Sequence, residues 1–456
     1  MPLILPARTL DSGFNIDNSL RFNKGDSSFL NRQFSGANTS RTTFTLSFWV
    51  KRTNLGSPIE SPISAETNSN EYDQVIFTST DELDVNNVAG GSDVISFKTT
   101  AKFRDSSAWY HIVIAIDTTQ ASGSNGIKIY VNGVLQTSFA STTYAQNATF
   151  EIGRDGSTTS IGRRERDGDG HGVGYLSDFY YIDGQQKAAS DFGETNDNGV
   201  WIPKAYDGTY GNNGFLLEFK QSGTSQNSSG MGADTSGNDE HFAVTNLTAT
   251  DQTTDTPTNN FCTYNAVDTS SNITLSEGNT LATANSNHSA SRATIGLRNG
   301  KWYWENKIVS VSGGPAVGVI AANASLGDQL NANPSRFYRN NGEKFSNGSG
   351  SSYGNSYTTN DIIGVALDLD NGAIYFYKNG TVENSGTAAF TDLLTATTEH
   401  WLPAVKLYNE AISVNFGNPS HSISSGNSDA NGYGNFEYAV PSGYYSLCTK
   451  NLAEYG

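Results

Sequence analysis

Two acidic residues on one short segment are the first side chains in this chain that could take part in bond cleavage. Glu82 and Asp84 are followed by Asn87 in the pattern E-x-D-x-x-N. Hydrolysis of a glycosidic bond with retention needs two carboxyl groups, one as acid and one as nucleophile. Asn87 stands where such a motif would place its last acid, and the segment has the composition of a turn between short strands. We therefore predict no catalytic residue here.

A glycine-rich loop offers oxygen ligands for a divalent cation. Asp167 and Asp169 lie in RDGDGHG (residues 166–172), and Asp178 follows shortly after. Carboxylates spaced around a tight turn partly match a Ca²⁺-binding loop. The match fails at His171, where an oxygen ligand is expected, and two neighbouring arginines would oppose a cation. The sequence predicts Ca²⁺ as a candidate cofactor at Asp167, Asp169 and Asp178; the alternative is a solvated, charge-balanced loop.

Aromatic residues in polar, glycine-rich stretches are the candidates for a recognition surface. Phe337 and Tyr338 lie in PSRFYRNNG, and Tyr353 and Tyr357 lie in GSGSSYGNSYTTN. An aromatic ring can stack on the apolar face of a sugar while nearby Asn and Arg side chains bond its hydroxyl groups. We predict receptor binding at these four residues; the alternative is that their rings fill the edge of a domain core.

One histidine and two cysteines complete the set of reactive side chains that we considered. His111 lies in a strand-like run without a Ser or Cys nucleophile pattern, so we expect a hydrogen-bonded strand histidine and not a base. Cys262 and Cys448 are too few for a disulfide framework. They could pair if the terminal strands of the second half lie side by side, but two separate thiols are our expectation.

Composition and charge exclude several classes of partner. The net charge is −17 and the pI is about 4.7. Such a chain does not hold nucleic acid by neutralising phosphates, and anionic membrane surfaces repel it. We predict no membrane insertion, because no apolar run reaches about 18 residues, and the N-terminal residues lack a signal-peptide pattern. An Asn-, Ser- and Thr-rich surface without a secretion signal favours a virion component released by lysis.

Two hairpins of nearly the same design must position these residues. Residues 109–133 and 362–380 each contain two alternating apolar runs and end in Asn-Gly, which supplies the positive φ angles of a tight turn. Strand-like runs between Gly-, Asn- and Ser-rich turns predict an all-β chain of two antiparallel β-sandwich (jelly-roll-like) domains in series. The predicted segments are a short N-terminal stretch (1–13), a first sandwich (14–190), an ordered irregular strap lying on the domain surfaces or a neighbouring subunit (191–260), a second sandwich (261–450) and a tail (451–456).

Both halves resemble known families. The first half resembles LamG-like, concanavalin A-type jelly rolls at residues 19–30, 45–52, 109–135 and 174–184. The second half is similar to SPRY domains at GKWYWENKI (300–308), VGVI (317–320) and the block 361–380. SPRY domains are binding modules without catalytic residues. The two together, joined by a GTYG-containing segment, resemble large virion proteins of marine tailed bacteriophages.

The resemblance implies a function at the virion surface. We expect a non-enzymatic structural protein, foremost a tail-fibre or receptor-binding component that contacts a host surface glycan or protein. The expected partners are other virion proteins, such as an adaptor or tail and capsid subunits, and further copies of the chain, with a trimer as the first expectation. A capsid decoration protein or head fibre is the alternative, because little sequence precedes the first predicted strand. A glycan depolymerase of the laminarinase type is a third, and it lacks its carboxylate pair.

Overall fold

The computed structural model of the protein describes residues 13–56, 59–285, 288–326 and 334–456. The chain divides into two compact units, with the boundary between Thr258 and Asn259. Each unit contains two large, mainly antiparallel sheets, so the predicted all-β class with two sandwich domains is confirmed. The predicted N-terminal stretch, except for Gly13, lies outside the described residues.

The first domain is built from two sheets around one apolar core. Sheet A has the order β10-β9-β8-β3-β13-β1-β18, with β16 also pairing with β13, and sheet B has the order β11-β7-β6-β5-β4-β12-β2-β17. Its elements are β1 (Ser19–Phe22), β2 (Phe29–Gln33), β3 (Thr43–Lys51), β4 (Glu60–Asn68), β5 (Glu71–Phe77), β6 (Glu82–Ala89), β7 (Ser92–Lys102), β8 (Tyr110–Asp117), α1 (Gly123–Gly126), β9 (Ile127–Val131), β10 (Val134–Leu135), β11 (Phe139–Tyr144), β12 (Thr158–Ile161), β13 (Gly174–Asp183), β14 (Gly193–Thr195), β15 (Trp201–Pro203), β16 (Phe215–Leu217), β17 (Ala243–Thr245) and β18 (Gln252–Thr253).

Alternation along the strands decides which residues form this core. On β3, Phe44, Leu46, Phe48 and Val50 are all buried in the cluster between the sheets. Successive side chains of a strand point to opposite faces, so this period of two places all four on one side. Residues 149–153 (TFEIG) have a strand-like composition but form no strand. That segment is irregular, and Asp73 accepts two of its backbone N–H groups instead of a neighbouring strand.

The segment 191–260 completes the first domain and does not form a separate strap. Its strands β16, β17 and β18 pair with β13, β2 and β1, so it adds to both sheets. Two ion pairs fix its end: Lys51 Nζ lies 2.8 Å from Asp255 Oδ2, with both side chains fully buried, and Arg21 Nε lies 3.8 Å from Asp251 Oδ1. The structure thus moves the predicted boundaries at 190 and 260 to one boundary at 258. The Ser-, Gly- and Asn-rich composition of this segment is typical of a linker. Composition does not reveal that the edges of both sheets have unpaired backbone groups with which the segment can form hydrogen bonds.

The second domain also has two sheets. Sheet C has the order β19-β22-β31-β24-β25-β26-β27, and sheet D has the order β20-β21-β32-β23-β28-β29-β30. Its elements are β19 (Tyr264–Thr269), β20 (Ile273–Ser276), β21 (Leu281–Ala284), β22 (Ser289–Ala293), β23 (Lys301–Ser310), β24 (Ala316–Ala321), β25 (Ser335–Arg339), β26 (Glu343–Ser346), β27 (Ser349–Ser352), β28 (Ile362–Asp368), β29 (Ala373–Lys378), β30 (Thr381–Val382), α2 (Leu393–Ala396), β31 (Trp401–Leu407), β32 (Ala411–Asn415), β33 (Tyr445–Ser446) and α3 (Thr449–Tyr455).

The end of the chain packs onto this second domain. β33 runs parallel to β23, and Leu447 and Leu452 are buried in its core. The predicted tail, residues 451–456, therefore contains most of helix α3. The two predicted Asn-Gly turns are confirmed, since Asn132-Gly133 and Asn379-Gly380 all have positive φ and connect β9 to β10 and β29 to β30. No helix in the described ranges is long and apolar enough to cross a membrane.

The two cysteines lie on backbone segments that pair with each other, but both remain free thiols. Phe261 pairs with Cys448 in an antiparallel bridge, so the two ends of the domain do lie side by side. Cys262 and Cys448 are nevertheless free and buried. Adjacent residues of an extended segment point to opposite sides, so Cys262 faces away from Cys448. Burial raises the pKa of the Cys448 thiol to about 12.

Candidate recognition surface

The four aromatic residues predicted to bind a receptor lie inside the second domain. Phe337 and Tyr338 belong to β25 and are fully buried, while Tyr353 and Tyr357 are only 7% and 3% exposed. All four join the apolar core, and the prediction of a receptor site on them is corrected. The polar loop composition concealed this, because the rings turn inward and the Asn, Ser and Gly residues around them face solvent.

Their hydroxyl groups are also committed to the protein. The single Tyr357 hydroxyl proton is shared between the carbonyls of Pro315 and Tyr338, at 2.9 and 3.0 Å. Tyr353 donates to Thr387 O at 3.1 Å, and the Tyr338 hydroxyl bonds the carbonyl of Asn355. Burying a phenol requires such a partner. These tyrosines therefore hold the loops 340–357 and 383–387 onto the domain and have no group left for a ligand.

A different set of tyrosines lies on the outer face of sheet D. On β29, Ile374 and Phe376 point into the core, so Tyr375 and Tyr377 point outward and are half-buried. Tyr438 and Tyr444 come from the irregular segment 418–444, which crosses the same face. We call this surface the tyrosine face, and its members are Tyr375, Tyr377, Tyr438 and Tyr444.

The strand register explains how these rings come together. Tyr303 of β23, Ala366 of β28 and Tyr375 of β29 are aligned across three neighbouring strands. Glu305, Gly364 and Tyr377 form the next row. The Tyr303 hydroxyl lies so close to Gly364 that a Cβ there would come within 2.7 Å of it. Small residues on the central strand thus let the flanking aromatic side chains pack across it.

A buried carboxylate fastens the crossing segment to the sheet. Glu305 accepts the backbone N–H groups of Glu437 and Tyr438, at 2.9 and 2.8 Å. The Tyr303 ring also packs against Phe436, with centroids 5.4 Å apart. Burial raises the pKa of Glu305 even though those N–H groups favour its charged form. Tyr438 is thereby held beside the turn at Gly380, where a Cβ would contact its ring.

The hydroxyl groups of the tyrosine face remain available. Among the residues that the structure describes, none accepts a hydrogen bond from, or donates one to, the hydroxyls of Tyr375, Tyr377, Tyr438 or Tyr444. Burial raises the pKa of Tyr444 above its usual value, and Asp368 raises it further. A phenol hydroxyl can both donate and accept a hydrogen bond, so each of these groups can bond a ligand in either sense. Half-buried rings with unused hydroxyls are the features by which tyrosine serves recognition.

The three aspartates predicted to bind Ca²⁺ are not brought together. Asp167 is 41% exposed and accepts two hydrogen bonds from Arg164, at 2.6 and 3.1 Å. Asp178 is buried in β13, beside the Tyr180 hydroxyl, and burial raises its pKa to about 7. Across the described ranges, no three His, Cys, Asp or Glu side chains are arranged to hold a metal ion. Ca²⁺ as a cofactor of this protein stays a prediction.

The segment with the E-x-D-x-x-N pattern is a strand, β6, and not the turn that we predicted. Glu82 accepts hydrogen bonds from the Thr78 and Thr80 hydroxyls, which lower its pKa to about 2. Asn87 points inward and donates to Asp73, whose pKa burial raises to about 7. A general acid needs a raised pKa, so Glu82 is unsuited to that role. Position 87 also lies on the opposite face of the strand, where a carboxylate could not pair with Glu82.

His111 has the hydrogen bonds of a structural residue. Its Nδ1 accepts from Trp201 Nε1 at 3.0 Å, so the proton is on Nε2, which lies 2.9 Å from Ser47 Oγ. The ring stacks on Trp49, with centroids 4.6 Å apart. Burial lowers its pKa to about 3. A histidine whose Nε2 already carries the proton cannot accept one from Ser47, so the pair does not form an activated nucleophile.

Comparison with known families agrees with both halves of the fold. The sequence model of the concanavalin A-like lectin/glucanases superfamily matches residues 26–180, and that of the SPRY domain matches residues 301–419. The chain therefore carries a concanavalin A-like domain followed by a SPRY domain. The first match ends before β14, so it does not include the segment that adds β16, β17 and β18 to the domain.

Similar solved structures include two human SPRY domains and a toxin. The SPRY domain of human HERC1 is 23% identical over 33% of this chain and 96% of that chain, with a TM-score of 0.28. A second human SPRY domain is 20% identical over 33% and 96% of the two chains, with a TM-score of 0.25. Stonustoxin is 21% identical over 34% of this chain and 27% of its own, with a TM-score of 0.27.

Proposed function

We propose that this chain is a non-enzymatic bacteriophage virion protein, a tail-fibre or receptor-binding component that contacts a glycan or protein on the host surface. The observation that carries the proposal is the tyrosine face. Its rings are partly exposed and its hydroxyls are unused, whereas the buried tyrosines of the same domain bond the protein through theirs. Tyrosine is enriched where proteins bind other molecules, because one ring offers a large contact area and a polar group.

The side chains most able to do chemistry support binding over catalysis. Glu82 has a lowered pKa and no partner carboxylate at position 87, and His111 is buried and already protonated on Nε2. Glycoside cleavage requires an acid with a raised pKa opposite a second carboxylate. The depolymerase function is therefore not part of the proposal.

The virion setting rests on the resemblance to phage proteins and on charge. A chain with a net charge of −17 is kept from nucleic acid and from anionic membranes, which suits an exposed structural protein. Symmetric copies, a trimer in our proposal, would present several tyrosine faces at once and turn weak single contacts into strong adhesion. An adaptor or another tail or capsid subunit would anchor them.

Immunogold electron microscopy of purified virions tests this proposal. An antibody raised against the chain is expected to label the distal tail of intact particles, and fluorescently labelled protein is expected to bind host cells. Labelling confined to the capsid, without binding to cells, would instead favour a decoration protein or head fibre. Absence of the chain from virions would contradict the proposal outright.

A further inference from the structure

The tyrosine face has electrostatic surroundings that restrict what it can bind. Lys301 and Lys378, which border it, are each already paired: Lys301 Nζ lies 2.9 Å from Asp368 Oδ2, and Lys378 Nζ lies 3.3 Å from Asp361 Oδ2. Neither lysine can therefore pair with an anionic ligand without giving up its carboxylate. A lysine that leaves such a pair exposes an uncompensated negative charge beside the ligand.

Carboxylates lie close to the phenol groups themselves. Glu437, Glu305 and Asp361 raise the pKa of Tyr438, after the larger effect of burial. Asp368 acts in the same direction on Tyr444. Carboxylates are thus the charged groups that act on the Tyr438 and Tyr444 hydroxyls, Lys301 over the Tyr444 ring is itself paired, and the whole chain carries a net charge of −17. A polymer of uronic acids or phosphodiesters would be repelled, whereas an uncharged ligand would not.

The groups that remain match the two chemical sides of a sugar ring. The half-buried rings of Tyr375, Tyr377 and Tyr444 offer apolar surface for the C–H face of a pyranose. Their hydroxyls offer donors and acceptors for its equatorial hydroxyl groups. Asp368 is itself buried, with its side chain only 6% exposed, and its contacts with Lys301 and Asn371 hold it in place beneath this surface.

We infer that the tyrosine face binds an uncharged glycan and discriminates against acidic ones. This inference rests on the proposed function, since it names the ligand class of the same surface. It also predicts little salt dependence, because no ion pair forms with the ligand. A protein receptor would instead need a surface that complements the acidic surroundings. The experiment below distinguishes a protein receptor from a glycan.

The test measures binding of the full chain to two immobilised probes, the neutral and the acidic polysaccharide fractions of a host surface extract, separated by anion exchange. We expect binding to the neutral fraction, unchanged at high salt, and at least about tenfold weaker binding of Tyr375→Ala/Tyr444→Ala. Tyr408→Ala is the matched control, because Tyr408 is 40% exposed on the same domain but lies outside the tyrosine face. Circular dichroism would verify that each variant is folded.

The possible failures are distinguishable. Binding to the acidic fraction alone, or equal binding by the Tyr375→Ala/Tyr444→Ala variant, overturns the inference. If the protein binds protease-sensitive sites on cells and neither polysaccharide, the inference fails while the proposed receptor-binding function stands. If it binds neither cells nor polysaccharide, both fail. The milder variant Tyr375→Phe/Tyr444→Phe keeps the rings, so an intermediate loss of binding would assign a separate contribution to the hydroxyls.

Discussion

At the scale of single residues, the tyrosines of the second domain fall into two groups that sequence composition does not separate. Those near Tyr357 are buried and bond backbone carbonyls, and those of the tyrosine face keep their hydroxyls unused. Removing a buried hydroxyl takes a hydrogen bond away from the carbonyls that it contacts, which costs free energy. Removing a hydroxyl that bonds only water has no such cost. The same substitution should therefore destabilise the domain in the first group and leave its stability nearly unchanged in the second.

Tyr357→Phe is expected to lower the free energy of unfolding of the second domain by about 1–2 kcal/mol, because the buried hydrogen bond that Pro315 O and Tyr338 O share with the hydroxyl is lost. Tyr377→Phe is expected to change it by less than about 0.5 kcal/mol. Denaturant unfolding of both variants beside wild type measures this. Equal destabilisation would mean that the Tyr377 hydroxyl is bonded within the protein, and the tyrosine face would lose its free polar groups.

His111 gives the first domain a pH dependence of known sign. Its pKa is about 3 in the folded protein and about 6.5 in the unfolded chain, so the unfolded state binds more protons below neutrality. Stability is therefore lost as the pH falls below about 6.5. Lowering the pH from 7 to 5 should cost wild type about 2 kcal/mol more than His111→Gln.

Hydrogen exchange of the β3 and β8 amides, followed by mass spectrometry at both pH values, measures the loss attributed to His111. Asp73 and Glu60 act in the opposite direction, because burial raises the pKa of each to about 7 and their contribution is lost as the pH rises toward 7. Comparison with His111→Gln cancels their effect. A pH dependence identical in both proteins would contradict a neutral, buried His111.

At the scale of elements, segment 191–258 has a structural role that its composition does not predict. It supplies β16 and β18 to sheet A and β17 to sheet B, and Asp255 is its most deeply buried charge. Asp255 Oδ1 also accepts from Trp109 Nε1 at 3.2 Å. The segment is thus tied to the hairpin β8–β9 as well as to β1.

Asp255→Ala should destabilise the first domain by about 3–5 kcal/mol, because it removes the carboxylate that lies 2.8 Å from the buried Lys51 ammonium. The double variant Lys51→Met/Asp255→Leu should recover most of that loss, since it removes both charges. Thermal unfolding of the two variants measures the difference. An equally unstable double variant would show that packing around Asp255, and not the unpaired charge, determines the effect.

A fragment of residues 1–258 is expected to unfold cooperatively, whereas a fragment of residues 1–190 is expected to aggregate or remain partly unfolded. The shorter fragment lacks the partners of the edge strands β1 and β2, and exposed strand edges pair with other chains. Circular dichroism melts and size-exclusion chromatography distinguish the two. A stable, monomeric 1–190 fragment would mean that the boundary predicted from the sequence is the correct one.

The alternation of residues within a strand predicts which side chains face the core. It does not predict contacts between segments that are far apart in the sequence. The run Ala373–Lys378 places Ile374 and Phe376 on one side, so it already implied that Tyr375 and Tyr377 face outward. Tyr438 and Tyr444 carry no such signal, because their position depends on Glu305, more than a hundred residues earlier. Tyr353 and Tyr357 were predicted to be exposed because they lie in polar segments, but the composition of a loop does not reveal whether a ring points into the core or into solvent.

At the scale of the whole molecule, the chain forms two sandwich domains, and we propose that the second presents the surface for recognition. Each domain has its own core and completes its own sheets. Neither requires the other to bury its strands, so each can be tested separately for binding. The central claim is that contact with the host occurs through the tyrosine face of the second domain.

Competition for phage adsorption tests that claim most directly. Purified protein is added to host cells before the phage, with Tyr375→Ala/Tyr444→Ala and the control Tyr408→Ala alongside. We expect wild type and Tyr408→Ala to slow adsorption, whereas the double variant, although folded, does not. If wild type neither binds the cells nor slows adsorption, or if the double variant blocks as well as wild type, the tyrosine face is not the surface that contacts the host.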